Sequence, residues 1–563
     1  MNKITVIGIL SLFLLGFLSY SCKKSITNKN PKTQWVDSIY KNMSIQEKVG
    51  QLFMVATYSN RDNSHIDSIQ NLIKNSNIGG LIFFQGGPVR QTKLINSYQS
   101  MAKVPLLIGM DAEWGLNMRL DSTARFPYNM TLGAIKNDDL IKRIGQQIGK
   151  HCKRLGVHLN FAPVVDINTN SKNPIIGVRS FGEDKLNVTN KALAFTEGLQ
   201  SEGVLACAKH FPGHGDTDMD SHKALPTVSF SKERIDAVEL YPYKELFKKE
   251  VAGVMVAHLN VPSLEPTDGL PSSLSYKIVS NILKKQLGYK GLIFTDALNM
   301  KGAANYKEPG DIDLAAFKAG NDVLLFTEDA PKAISKIIEA YDNNEITEER
   351  LSYSVKKILA AKYDVHLNQF KPIELKGLIE DLNGDTNLLL NEEAISNAIT
   401  VIKNEAHILP IYANNKEKIA LLKLGDGDSD AFLSELKSGI SIYEVSDVSH
   451  KKILKELKGY DKVIIGYHRL NYRETEAISK EDKNLIENIS KNNKVILNVF
   501  ASQYSLKDVS LGNIDGIIIS YENSELAQNI SAQIILGKKE AIGKLPTSIN
   551  DEFQHNNNFK ITD

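Results

Sequence analysis

VLACAKHF at residues 204–211 and GVMVAH at residues 253–258 stand on either side of SKERIDAVELYPYKELFKKEV, residues 231–251. The flanking runs are continuously apolar, as in strands buried on both faces of a parallel sheet, and the segment between them has helical periodicity. Strand, helix, strand in that order is one crossover unit. Outward from it the order repeats. LFMVA from Leu52, GLIFF from Gly80, PLLIGMD from Pro105 and VHLNFAPVVD from Val157 precede the pair, and GLIFTD from Gly291 and DVLLF from Asp322 follow it. Helical stretches at 138–155 and 187–202 separate further runs. Eight strand-then-helix units over about 330 residues predict a (β/α)8 barrel, whose chemistry sits at the carboxyl ends of its strands.

Between residues 366 and 390 the pattern weakens into a polar segment suited to a linker. Beyond it KIALLKL from Lys418, KVIIGY from Lys462, KVILNVF from Lys494 and GIIIS from Gly516 alternate with helical patterns at 449–458 and 524–536. They predict a smaller α/β sandwich, an open sheet covered by helices. The expected division is a signal peptide at 1–21, a tether at 22–34, the barrel at 35–365, the linker at 366–390, the sandwich at 391–550 and a tail at 551–563. GDGDSD at 425–430 has neither P-loop nor EF-hand spacing and reads as a turn.

The 563 residues are 42% hydrophobic and 24% charged, which excludes a disordered, fibrous or many-pass membrane chain. Sixty-seven basic against 66 acidic side chains leave a formal charge of +1, too little to hold a nucleic-acid backbone. The three cysteines, Cys22, Cys152 and Cys207, form no disulfide framework. Cys22 follows Lys3, an apolar run from Ile4 to Leu18 and then Ser19, Tyr20 and Ser21, which resembles a bacterial lipoprotein signal. Cys22 is then expected to be the lipidated first residue, the membrane to be reached only through that anchor, and the chain to lie in the cell envelope facing the periplasm.

The barrel's strand ends carry Asp111, Asp166, Lys209 with His210, His258 and Asp296. Any one of these alone fits a buried or capping polar group; five at matching strand ends point to a site. The densest chemistry is KHFPGHGDTDMDSHKALP, residues 209–226, with His210, His214, Asp216, Asp218, Asp220 and His222 around Gly213 and Gly215. Its His and Asp residues could ligate a metal, although neither helical zinc-protease nor finger spacing is present. Alternatively, Asp220 and His222, two apart, share one face of an extended loop and form an orienter and a base titrating near neutral pH.

KHFPGHGDT with DSHKALP, together with LIFTDALNM, resembles the β-N-acetylglucosaminidase branch of glycoside hydrolase family 3. NFAPVVDINTN, NPIIGVRSFGED, VMVAHLNVP and AGNDVLLF agree, and ILGKKEAIGKLP at 535–546 is similar to that family's closing motif. The resemblance implies a retaining mechanism with Asp296 as nucleophile and His222 as acid and base partnered by Asp220. It gives Asp111, Arg119, Arg179, Lys209 and His210 to sugar binding, and leaves His214 and Asp216 to shape the loop, with His258 a weaker pocket residue. The substrate it implies is a GlcNAc-containing glycan or muropeptide; no metal, organic cofactor or protein partner is called for. DAEWG at 111–115 departs from the usual D-Q-E-G-G, and Trp114 is expected at the pocket floor or as a stacking face. The family's β-glucosidases and xylosidases instead take their acid from a second-domain glutamate. Glu522 and Glu525 could fill that place but read as surface carboxylates. A metal-dependent hydrolase and a sugar-binding protein without turnover are the competing classes.

Overall fold

Each quoted apolar run of the first domain contains a strand in the computed structural model, which describes residues 30–217, 224–412, 417–446, 449–472 and 475–556. The strands are β1 Phe53–Thr57, β2 Gly80–Phe83, β3 Leu107–Met110, β4 Leu159–Asn160, β5 Leu205–Phe211, β6 Gly253–Val256, β7 Leu292–Thr295 and β8 Leu324–Leu325. Their order is β7-β6-β5-β4-β3-β2-β1-β8, and every paired neighbour is parallel. A parallel bridge between Phe294 and Val323 closes the ring, so the domain is the barrel its patterning predicts. The interior is packed with side chains. Phe161 meets Phe294 edge-on at 5.3 Å, and a Cβ on Gly109 would stand 2.9 Å from the Phe161 ring, which is why that strand position carries no side chain.

Helix Asp138–Leu155 shows how the outer ring forms. Asn137 caps its first turn by accepting from the Asp139 N–H, Leu140, Ile141, Ile144 and Ile148 fall on one buried stripe, and Gly156 ends it at φ 81°. It crosses helix Lys185–Ser201 closely enough that a Cβ on Gly198 would lie 2.0 Å from the Lys142 carbonyl oxygen. The stretch 231–251 differs from its predicted single helix: it is two, Lys232–Ala237 and Tyr241–Lys248. Pro242, with no N–H to give, starts the second.

The segment read as a linker is partly helical, with Leu378–Leu382 and the start of Asp385–Ala398 inside it. The second domain holds β9 Thr400–Asn404, β10 Ile419–Leu424, β11 Ile442–Glu444, β12 Lys462–His468, β13 Lys494–Phe500 and β14 Gly516–Ile519, in the order β11-β10-β12-β13-β14-β9. All pairs are parallel except β14 with β9. Successive residues face opposite sides. Ile464, Ile496 and Ile518 pack with Phe432, Leu436 and Ile530, while Ile465, Leu497 and Ile519 share a core with Ile453, Leu457 and Ile486. The sheet is covered by helices on both faces, as the sandwich reading requires. GDGDSD forms the connection from β10 to helix Asp430–Gly439.

The domains are joined tightly. Gly182 abuts Pro546, where a Cβ would fall 2.4 Å from the proline carbonyl oxygen, and the Glu183 N–H donates to that same oxygen at 3.1 Å.

Candidate active site

Strand direction puts Asp111, Asp166, Lys209, His210, His258 and Asp296 at one end of the barrel, the mouth. Asp111 follows β3. Its Oδ1 accepts from Lys209 Nζ at 2.7 Å and its Oδ2 from Arg119 Nη2 at 2.5 Å. Burial pushes its pKa up, but the two cations outweigh burial and hold it far below the ordinary aspartate value. Two residues on, Glu113 is 0% exposed, and Arg179 grips it in a fork, Nη2 to Oε1 at 2.7 Å and Nε to Oε2 at 3.0 Å. Lys209 lies 2.9 Å from the same Oε1. Burial opposes ionisation here too, yet Arg179 and Lys209 bring Glu113 down to about 2. The loop carrying both carboxylates is held by Asn160, whose side chain accepts from the Ala112 N–H at 2.9 Å and donates to its carbonyl at 3.0 Å.

On β5 the Lys209–His210 peptide is cis, and the ladder to β6 shifts register between Ala208 and Phe211. Both side chains are buried at the mouth. His210 Nδ1 donates to Asp166 Oδ2 at 2.7 Å, since a carboxylate can only accept, and Nε2 sits 3.4 Å from Arg179 Nη2. Asp166 also accepts the His214 N–H at 2.7 Å, and one buried carboxylate thereby anchors the start of the His-rich loop. Burial and the neighbouring His210 push His214 down to about 4; its Nδ1 pairs with Thr217 Oγ1 at 2.7 Å. Asp216 accepts from Thr169 Oγ1 at 2.9 Å.

Asp296 follows β7, half-buried, with Oδ1 accepting the Ala297 N–H at 2.8 Å. Burial alone would raise its pKa; the neighbouring His210 and His258 imidazoles, the Ala297 N–H and Lys209 leave it below the ordinary value. His258 is fully buried, with Nε2 donating to the Ala297 carbonyl at 3.0 Å and Nδ1 paired with Ser273 Oγ at 2.7 Å. Burial lowers its pKa and so favours the neutral ring. The result is an ionised carboxylate open enough to attack, facing a set of carboxylates and cations able to bind hydroxyls.

Of the predicted residues, the structure brings Asp111, Arg119, Arg179, Lys209, His210 and Asp296 together. Asp220, His222 and Cys22 lie outside the described residues. Among the described residues no group of three or more His, Cys, Asp or Glu is disposed to hold a metal. Two expectations are corrected. Trp114 is buried rather than a stacking face, packed edge-on against Tyr128 at 4.8 Å in a cluster with Val178 and Tyr504 of the second domain. Glu522 is no surface carboxylate: it is 1% exposed, accepting from Arg125 Nη1 at 2.9 Å across the domain joint.

A family model described as "Glycosyl hydrolase family 3 N terminal domain" matches residues 44–361, and "Glycosyl hydrolase family 3 C-terminal domain" matches residues 399–562. The chain belongs to glycoside hydrolase family 3, the family its motifs resemble. It is 32% identical over 378 residues to beta-hexosaminidase A of Pseudoalteromonas piscicida, a match spanning 62% of each protein's length. It is 29% identical to a beta-N-acetylglucosaminidase/beta-glucosidase of Cellulomonas fimi, covering 70% of this chain and 71% of that one. Among solved structures, a family 3 beta-N-acetylglucosaminidase from Paenibacillus sp. strain FPU-7 superposes with a TM-score of 0.75 at 29% identity, over 90% of this chain and 99% of the other.

Proposed function

We propose that this chain is a retaining exo-β-N-acetylglucosaminidase that removes terminal β-linked GlcNAc, with peptidoglycan fragments as its natural substrate. The observation that carries the reading is Asp296: ionised, half-buried and at the end of β7, with His210, His258 and Lys209 acting on its charge. Its carboxylate attacks the anomeric carbon as the glycosidic C–O bond breaks, giving a glycosyl ester. His222, oriented by Asp220, protonates the departing oxygen and then takes a proton from the water that hydrolyses the ester. The DSHKALP segment supports this dyad; Thr217, the last described residue before it, is paired with His214. Asp111 accepts sugar hydroxyls while Lys209 and Arg119 hold it charged, and Arg179 with His210 lines the same mouth. Relatives named for GlcNAc and hexosamine cleavage support the sugar. The lipoprotein-like signal supports a cell-envelope position with Cys22 lipidated; radiolabelled palmitate incorporated by the wild type and lost in Cys22→Ala checks that part.

Aryl GlcNAc and aryl glucose compared side by side test the activity. Preferential release from aryl GlcNAc is expected, and preference for glucose overturns the substrate. For the acid, His222→Ala should slow natural glycans more than activated aryl glycosides, because good leaving groups need less protonation. Equal losses on both count against His222.

A further inference from the structure

Glu522 sits in a place that its sequence neighbourhood does not explain. β14 ends at Ile519, and Tyr521 turns the chain at φ 60°, the left-handed region that bulky residues avoid. Such a turn persists where the surrounding structure demands it. Here the Tyr521 hydroxyl is tied to Thr400 Oγ1 at 2.7 Å, and the turn delivers Glu522 into the barrel. Glu522 Oε1 accepts the Tyr128 N–H at 2.9 Å and Thr131 Oγ1 at 3.0 Å, and Oε2 accepts from Arg125 at 2.9 Å. One carboxylate of the second domain thus gathers three donors from a single barrel segment, residues 125–131. Between the two residues bound by Oε1 lies Asn129, buried, whose Nδ2 donates to the Arg179 carbonyl at 2.7 Å. Arg179 in turn forks onto Glu113.

The aromatic joint runs alongside. Tyr128 packs against Trp114, the residue after Glu113, and Tyr472 of the second domain tilts onto Tyr128 at 5.9 Å. Val178, the residue before Arg179, belongs to the same cluster as Tyr504. Both halves of the Glu113–Arg179 pair are therefore flanked in sequence by residues of one apolar cluster that the second domain joins.

We propose that Glu522 is a positioning residue for sugar binding, acting through residues 125–131 and Asn129 on Arg179 and so on the Glu113–Lys209–Asp111 cluster. The second domain then sets the geometry of the sugar site without a reacting atom of its own. Both Glu522 oxygens are taken up by guanidinium, backbone and hydroxyl donors, and the proposal gives it no acid role. The proposal rests on the glycosidase reading given above.

The test is steady-state kinetics on aryl GlcNAc with Glu522→Ala, Glu522→Gln, Asn129→Ala and the Glu522→Ala/Asn129→Ala double variant, each checked for a wild-type thermal transition. KM is expected to rise about tenfold in Glu522→Ala and Asn129→Ala, with kcat changing less than about threefold. Glu522→Gln, which keeps one acceptor oxygen, should fall between it and the wild type. Because both residues act on one path, the double variant should be no worse than the poorer single. The pH profile of kcat/KM should keep both limbs. Folded variants with unchanged KM, losses that multiply in the double variant, or a missing limb each overturn the proposal. If Glu522→Ala does not fold, Glu522→Gln and Asn129→Ala carry the same comparison. Calorimetry with GlcNAc separates the two readings: wild type that binds the sugar without cleaving aryl GlcNAc defeats the glycosidase, and variants that bind it as tightly as wild type defeat the positioning role.

Discussion

The barrel buries charge at both ends of its strands, and the two clusters are built differently. At the mouth, Asp111 and Glu113 share Lys209, with Arg119 and Arg179 outside them. At the floor, Asp322 stands just before β8, with no exposure, accepting the Ile293 N–H at 3.1 Å, Ser354 Oγ at 2.5 Å and Lys357 Nζ at 2.6 Å. Arg350 completes the floor by donating to the Phe317 and Asn321 carbonyls at 2.8 and 2.6 Å. The floor cluster turns inward and ties the closing strands to the helix Glu348–Asp364. The mouth cluster leaves a half-buried carboxylate, Asp296, beside it. Chain direction explains the difference: carboxyl ends of parallel strands lead into the loops that form sites, amino ends into packing.

Substitutions at the two ends should therefore separate activity from stability. Asp296→Asn removes the nucleophile while keeping its shape, and kcat is expected to fall about 10⁴-fold or more with the melting temperature unchanged. A variant retaining a tenth of wild-type turnover would remove Asp296 from the chemistry. Asp322→Asn should do the reverse. It strands Lys357, Lys284 and Arg350 without an anion, and a loss of about 3–5 kcal/mol in a denaturant titration is expected, with kcat/KM per folded molecule intact. Asp111→Asn is intermediate: Lys209 still has Glu113 at 2.9 Å, so stability falls little, while kcat/KM drops about 10²-fold through lost hydroxyl binding. A large stability loss there, with binding intact, would make the mouth cluster another floor.

How much of this was legible depends on the range of the interaction that decides it. The eight barrel strands announce themselves because burial on both faces demands unbroken apolar runs, and Asp111, Lys209, His210 and Asp296 end such runs. β11 gave no such signal: it is three residues at a sheet edge, its Tyr443 and Glu444 exposed. Glu522 was misread because its partner Arg125 is 397 residues away, and nothing local marks a carboxylate as buried. Trp114 was expected at the pocket floor or as a stacking face because the sequence shows its neighbour Glu113 but not the cluster with Tyr128 and the second-domain Tyr504 in which it is buried. Asn160 carried a usable sign, an amide inside the apolar run VHLNFAPVVD, where a buried side chain must find backbone partners.

The smallest effect lies below the barrel, at a buried lysine that, among the described residues, is paired with an amide rather than with carboxylates as Lys209 is. Lys362 is 0% exposed and donates to Gln51 Oε1 at 2.6 Å; burial brings its pKa from 10.5 down to about 7. Between those values the unfolded chain holds a proton that the folded chain has released, so unfolding takes up a proton and the Lys362 contribution to stability rises with pH, by at most about 1.4 kcal/mol per unit. Below pH 7 both states are charged and the contribution is flat at its least favourable. Lys209, whose pKa is raised by Asp111 and Glu113 against the cost of burial, carries no such slope in this window. Stability curves of the wild type and Lys362→Met, measured by denaturant titration from pH 6 to 10, should therefore diverge, the wild type gaining on the variant as pH rises past 7. Parallel curves would mean that Lys362 keeps its proton in the fold, and that the floor tolerates an uncompensated cation as well as the mouth tolerates a paired one.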